Sequence, residues 1–249
     1  MGWSLDKLGM TTYAGAVVGT ILITGGSGGI ATAIAEVLIA RGDRVVVFDR
    51  TEPRVASSWE NVDVTDEARV EAAVAHAVKA NGSIDGVLCA AGVVSESPLP
   101  EMTLTEWRRV VDVSLTGTFL TLRAVLPGMI AAKRGKIVAL SSGYGRKGYR
   151  FGAHYAAAKA GIEALVKSTA LETATDGITV NAIAPGPIET PFLDHETDPT
   201  RYERTAQMIP MGRIGVPADV VGAVLFFLDP GSDYITGQVL HVNGGFLMM

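Results

Sequence analysis

Tyr155 and Lys159 stand four residues apart in Tyr155-Ala-Ala-Ala-Lys159, thirteen residues beyond Ser142. On a helix that spacing puts a phenol and an ammonium on one face. An ammonium beside a phenol favours the phenolate and lowers a pKa of about 10. Such a pair can exchange protons near neutral pH. Upstream lies the glycine-rich stretch Thr24-Gly-Gly-Ser-Gly-Gly-Ile-Ala31, between a β-branched run and an alanine-rich one. In a strand–turn–helix setting, small residues let the backbone approach a pyrophosphate, and the helix N-terminus offers N–H groups and partial positive charge. Gly26, Gly28 and Ala31 fit the G-x-G-x-x-G/A spacing, and Gly25 and Gly29 fit a second one. A glycine pattern alone is also met in tight turns without a ligand. With the Tyr–Lys pair beside it, the combination implies hydride transfer to or from a dinucleotide.

Asp49 closes the next β-branched run. A carboxylate there can accept from both adenosine ribose hydroxyls and repels a 2′-phosphate, which favours NAD over NADP. Arg50 opposes that preference, because a guanidinium beside the site can pair with the phosphate. Asp63 either accepts from the adenine amino group or serves the start of the following helix near Thr65.

These residues need elements to position them. β-branched runs at 19–24, 44–49, 59–62, 85–90, 136–141, 178–184 and 238–242 read as strands. Between them, 28–41, 65–80, 103–132, 154–175 and 216–229 read as helices, with Pro127 bending the end of the third. Alternating strand and helix predicts an α/β fold with a doubly wound parallel sheet covered on both faces. We expect one domain over 1–249, with 1–12 as a loosely held extension and about 186–211 as an irregular substrate lid.

The chain has 249 residues, with 21 basic and 26 acidic side chains and a net charge of -5. That balance argues against a nucleic-acid partner. Cys89 is the only cysteine, which excludes an internal disulfide and suits a reducing compartment. No run reaches ~18 uninterrupted apolar residues, so we expect no membrane span and a cytoplasmic protein. His76, His195 and His241 lack ligand spacing, and no metal is expected.

In order along the chain, Thr24-Gly-x-x-x-Gly29-Ile-Ala, Ala90-Ala-Gly92, Ser142, Tyr155-x-x-x-Lys159 and Pro185-Gly-Pro-Ile-Glu-Thr190 resemble the short-chain dehydrogenase/reductases. The resemblance runs from about residue 19 to the C-terminus. It implies a Rossmann-like sheet of about seven parallel strands and a homodimer or homotetramer. It also implies NAD(P)-linked oxidoreduction of a small alcohol or carbonyl substrate. By position it makes Tyr155 the acid/base and Ser142 the donor to the substrate oxygen. Lys159 then holds the nicotinamide ribose and keeps Tyr155 acidic. The implied cofactor contacts begin with Gly25, Ser27, Gly28, Gly29 and Ile30 in the turn, then Asp49, Arg50, Asp63 and Val64. Ala90, Ala91 and Gly92 line the adenosine side. Pro185, Gly186, Ile188 and Thr190 pack the nicotinamide, joined by Tyr155 and Lys159.

Four departures qualify the pattern. Ala31 replaces the third glycine, and Cys89-Ala90-Ala91-Gly92 replaces Asn-Asn-Ala-Gly. Ser114 stands where relatives carry an asparagine of the proton relay; a serine is shorter but still donates and accepts. The stretch 171–176 is acidic where reductases of carrier-bound acyl chains are often basic, although Lys133, Arg134 and Lys136 are available. The leading reading is an NAD-dependent secondary-alcohol dehydrogenase or ketone reductase. The alternatives are an NADPH-dependent 3-oxoacyl-type reductase and a non-catalytic NAD(H)-binding regulator.

On the substrate side, Tyr144, Tyr149, Phe151, Phe192, Leu193, Met208 and Met211 either wall an apolar pocket or pack the lid. Arg146, Lys147 and Arg150 either bind an anionic substrate or are solvated. His154 is expected to point away from Tyr155, because adjacent helix positions face apart.

Overall fold

A computed structural model describes residues 19–190 and 199–248. The expected 1–12 extension, Phe192, Leu193 and His195 lie outside the described residues. Seven strands form one parallel sheet in the order β3-β2-β1-β4-β5-β6-β7. They are β1 Thr20–Thr24, β2 Arg44–Asp49, β3 Ser58–Asn61, β4 Gly86–Cys89, β5 Gly135–Leu140, β6 Ile178–Pro185 and β7 Val239–Val242. β1 and β6 are buried at every residue. This is why central strands read as unbroken apolar runs: both faces are covered.

Successive strand residues feed opposite faces. Leu22 and Phe48 join a core with Val70, Leu122, Val125, Met129 and Ile162, under α2 (Glu67–Asn81), α4 (Gly117–Ala132) and α6 (Ala153–Thr173). Ile21 and Ile23 join the other core with Ile34, Leu38, Val220 and Val224, under α1 (Gly29–Ala40) and α8 (Pro217–Leu228). The strand order reverses between β1 and β4, which opens the ligand crevice of such sheets at their carboxyl edge.

The helical reading over 103–132 needs a correction. α3 (Leu104–Val111) and α4 are joined by a π-helical turn, Asp112–Thr116, so the break falls there and Pro127 sits inside α4. The whole run Leu104–Ala132 is long and apolar enough, by length and composition, to cross a membrane. Leu122, Val125 and Met129 are instead buried against the sheet, as in a core helix. The segment read as an irregular lid contains a helix, α7 (Pro199–Gln207), and a short helix α5 (Tyr144–Lys147) follows β5.

Candidate active site

The glycine turn at the carboxyl end of β1 is made by backbone contact. Gly25 has φ +71°, and a Cβ there would come within 2.6 Å of the Ala91 backbone. A Cβ on Gly26 would meet the Val47 side chain at 2.5 Å. α1 then starts with Gly28 as N-cap, no capping side chain and no acidic residue in its first turn. Free N–H groups beside backbone that tolerates no side chain fit a dinucleotide phosphate.

The Asp49 carboxylate accepts from the Ser27 N–H at 3.0 Å, the Ser27 hydroxyl at 2.7 Å and the Thr51 N–H at 2.9 Å. The Arg50 side chain is 75% exposed and lies 3.9 Å from Asp63. Asp63 accepts from the N–H and hydroxyl of Thr65 at 3.0 and 2.7 Å. Burial raises its carboxyl, but the Thr65 bonds and the Arg50 charge outweigh that and hold it below the ordinary value. Asp63 thus shapes the turn into α2, whose N-cap is Asp66. Val64 is buried beside Gly117, where a Cβ would come 2.6 Å from its Cγ2.

Ser142 follows β5, while Tyr155 and Lys159 lie on α6; all three are buried. Tyr155 and Ser142 share a side-chain hydrogen bond, and Ser142 Oγ also accepts from the Tyr144 N–H at 3.2 Å. Lys159 Nζ sits 5.6 Å from the Tyr155 ring centroid and donates to the Leu140 carbonyl at 2.7 Å. Burial pushes the Tyr155 phenol up to about 12; the Ser142 bond works against that shift, and Tyr144 adds to it. Burial pushes Lys159 down to about 8. The expected lowering of the phenol by Lys159 is therefore reversed. Burial takes the phenolate out of water and sets the direction of the shift, and the same burial weakens the neighbouring ammonium.

One line of contacts joins the glycine turn to Lys159. Gly25 packs on Ala91, and a Cβ on the next residue, Gly92, would come 3.6 Å from Lys159 Nζ and 3.5 Å from Ser114 Oγ. Ser114, in the π turn, is fully buried, and its Oγ has no hydrogen-bond partner among the described residues. Ala90 continues from β4, its N–H donating to the Thr24 carbonyl at 3.1 Å. The exit of β6 gathers at the same edge. The Gly143 N–H donates to the Pro185 carbonyl at 3.1 Å, Gly186 packs on Asn243, and Ile188 bridges to Gly215 with the Thr190 hydroxyl on its carbonyl.

Aromatic rings gather beside Tyr155. Tyr144 and Tyr149 stack at 4.2 Å, Tyr149 meets Tyr155 edge-on at 6.1 Å, and Phe246 meets Tyr144 edge-on at 6.1 Å. Phe246 was not foreseen, because nothing local marks a residue three from the C-terminus. Phe151 instead stands exposed with Arg150 over its ring at 4.7 Å, and Met208 and Met211 are exposed. Arg146 pairs with buried Glu163, and Lys147 lies over Phe246 at 4.1 Å. His154 is fully buried: its Nδ1 accepts from the Tyr155 backbone N–H at 2.9 Å, and its Nε2 lies 3.0 Å from Ser95 Oγ.

A cavity of about 950 Å³ lies at the opposite edge, among the strand starts at Gly19, Gly135 and Ile178. Lys133, Arg134 and Lys136 line it, paired with Asp176, Asp85 and Asp233. Burial pushes the Cys89 thiol up to about 12, so it is inert. Among the described residues no group of three His, Cys, Asp or Glu could hold a metal ion.

A family model described as enoyl-(acyl carrier protein) reductase matches residues 25–247. The 3-oxoacyl-[acyl-carrier-protein] reductase FabG of Vibrio cholerae is 37% identical over 237 residues, which cover 92% of this chain and 97% of that protein. The aldohexose dehydrogenase of Thermoplasma acidophilum has a TM-score of 0.87 at 32% identity, covering 92% of this chain and 94% of its own. ElxO with NADP bound has a TM-score of 0.86 at 29% identity, covering 92% and 99%.

Proposed function

The chain belongs to the short-chain dehydrogenase/reductases and is an NAD(P)-dependent oxidoreductase of alcohol and carbonyl groups, and from that premise we propose that it interconverts a small secondary alcohol and its ketone with NAD. The observation that carries this reading is the hydrogen bond between Tyr155 and Ser142, set beside Lys159 at the sheet edge that also holds the glycine turn. The proposal includes a cytoplasmic location and a homodimer or homotetramer.

A nicotinamide dinucleotide, when bound, supplies the acceptor or donor of hydride. The turn from Gly25 to Ile30 would hold its phosphates, Asp49 its adenosine ribose and Lys159 its nicotinamide ribose. In oxidation Tyr155 takes the hydroxyl proton; in reduction it returns one to the carbonyl oxygen. Ser142 donates to that oxygen as negative charge gathers, and losing one such donor typically costs roughly 100- to 1000-fold in rate. Lys159 stabilises the phenolate through its charge, and Ser114 relays the proton outward past Gly92.

Two observations support NAD. The Asp49 carboxylate is held against the turn by Ser27, and Arg50 leans toward Asp63. A second reading, a 3-oxoacyl-type reductase using NADPH, draws support from the identity to the Vibrio cholerae enzyme. Against it, the basic residues 133, 134 and 136 are ion-paired at the far edge of the sheet. A panel of secondary alcohols, ketones and 3-oxoacyl thioesters, each run with both cofactors and followed by NAD(P)H absorbance, separates the readings. Turnover of simple secondary alcohols with NAD supports the first. Turnover confined to thioesters with NADPH replaces it with the second.

A further inference from the structure

Three consecutive residues after β4 tie down the segment that leads into α6. Ser95 Oγ lies 3.0 Å from His154 Nε2, the Tyr149 hydroxyl donates to Glu96, and the Ser97 N–H donates to the Phe151 carbonyl at 2.7 Å. Phe151 has φ +64°, a left-handed conformation that a non-glycine residue keeps only where its surroundings impose it. The Ser97 N–H holds the Phe151 carbonyl in that conformation.

His154 joins this strap, 95–97, to the backbone of Tyr155. The first N–H groups of a helix have no partner within the helix. The N-cap of α6 is Gly152, which has no side chain to accept from them. The Tyr155 N–H finds its acceptor in His154 Nδ1 at 2.9 Å. That bond requires the lone pair on Nδ1, so in the neutral ring the proton is on Nε2 and is donated to Ser95 Oγ. Glu106 of α3 faces the same nitrogen at 3.8 Å. Both ring nitrogens of a residue with no solvent exposure are therefore engaged, one by the backbone of Tyr155 and one by the strap.

We propose that His154 is a positioning residue for the reaction: through the Tyr155 amide it sets the phenol against Ser142. The proposal rests on the oxidoreductase reading of this site.

Three substitutions separate positioning from packing. His154→Asn keeps an acceptor near the place of Nδ1 but gives up Ser95. His154→Gln can reach Ser95 but not the Tyr155 N–H. His154→Leu fills the space and makes neither bond. We expect kcat to fall by about tenfold or more in the Leu and Gln variants and to recover to within about threefold of wild type in Asn. NADH affinity should change by less than about twofold throughout. Hydrogen exchange at the Tyr155 amide, which needs no turnover, should speed up by about tenfold in Leu and Gln and little in Asn. A Leu variant equal to wild type in kcat and exchange overturns the proposal, and so does an Asn variant as impaired as Leu. If Leu does not fold, Asn against Gln decides by the same two readouts. If wild-type protein oxidises or reduces nothing in the panel, the reading of the site fails; the exchange series still shows whether His154 holds Tyr155.

Discussion

The Asp49 carboxylate accepts both hydrogen bonds that Ser27 can offer, at 3.0 Å from the N–H and 2.7 Å from the hydroxyl. This couples the end of β2 to the middle of the glycine turn and fixes a negative charge there. A 2′-phosphate would have to displace those bonds and meet that charge. Hydrogen bonds to charged groups contribute roughly 1.5–3 kcal/mol. Asp49→Ala should therefore raise the NADP to NAD ratio of kcat/KM by about 10- to 100-fold, with Arg50 free to turn toward the phosphate. Steady-state kinetics with both cofactors measures it, and an unchanged ratio would remove Asp49 from cofactor choice.

Tyr155→Phe deletes one oxygen and with it the Ser142 bond, while Lys159 keeps its bond to the Leu140 carbonyl. NADH binding should persist with turnover below about a tenth of wild type. Fluorescence titration and an absorbance assay on one preparation read both. Turnover above that level would show that another group handles the proton.

Lys159→Met tests the cost of the buried amine. Its pKa of about 8 when folded lies below the ordinary lysine value of 10.5. Below pH 8 both states are protonated, and the fold bears the full cost of the buried ammonium. Between those two values the unfolded chain binds more protons, so wild-type stability rises with pH. Above them the cost is gone. The Met variant should therefore be the more stable at pH 7, by on the order of 1–3 kcal/mol. The gap should close between about pH 8 and 10.5. Urea midpoints at pH 7 and pH 10 check this; a constant gap would mean the amine is not penalised by burial.

The sheet was legible because parallel strands covered on both faces must be apolar at nearly every residue, as in Val45-Val46-Val47-Phe48. The nearness of Tyr155 and Lys159 was legible because helical spacing alone brings them together. The π turn at Asp112–Thr116 was hidden, since apolar residues continue through it into α4. α7 was hidden because its polar sequence carries little apolar periodicity. The backbone bond of His154 was hidden for a geometric reason. Adjacent side chains do diverge, but the amide of Tyr155 is within reach of the preceding ring. The direction of the Tyr155 shift was misread because spacing names the neighbouring charge and is silent on burial.

Ser114→Ala removes a buried hydroxyl that has no hydrogen-bond partner among the described residues. An unsatisfied buried polar group costs roughly 1–3 kcal/mol, so the substitution should leave stability unchanged or raise it. If the hydroxyl relays protons past Gly92, the same variant should slow turnover where proton transfer limits it, enlarging the solvent isotope effect. Identical kinetics at every pH, in ordinary and heavy water, would make Ser114 a structural residue of the π turn.

Arg146 and Glu163 form an ion pair whose two members are unequally placed: the Glu163 side chain is 3% exposed and the Arg146 side chain 33%. The Ser141 hydroxyl also donates to Glu163 at 3.0 Å and approaches the Lys159 carbonyl at 3.1 Å. Arg146→Met would leave a buried carboxylate with Ser141 as its remaining polar contact in this network, and breaking a buried pair in that way costs about 3–5 kcal/mol. Glu163→Gln leaves a guanidinium that can turn to water and an amide oxygen that can still accept from Ser141, for a cost of about 1 kcal/mol. Arg146→Met should therefore be the more destabilising by urea denaturation. Because Ser141 adjoins Ser142 and Arg146 belongs to α5, catalytic losses should follow the same order. Equal midpoints, or a greater loss in Glu163→Gln, would show that the carboxylate is solvated and that the pair does not anchor α5 to α6.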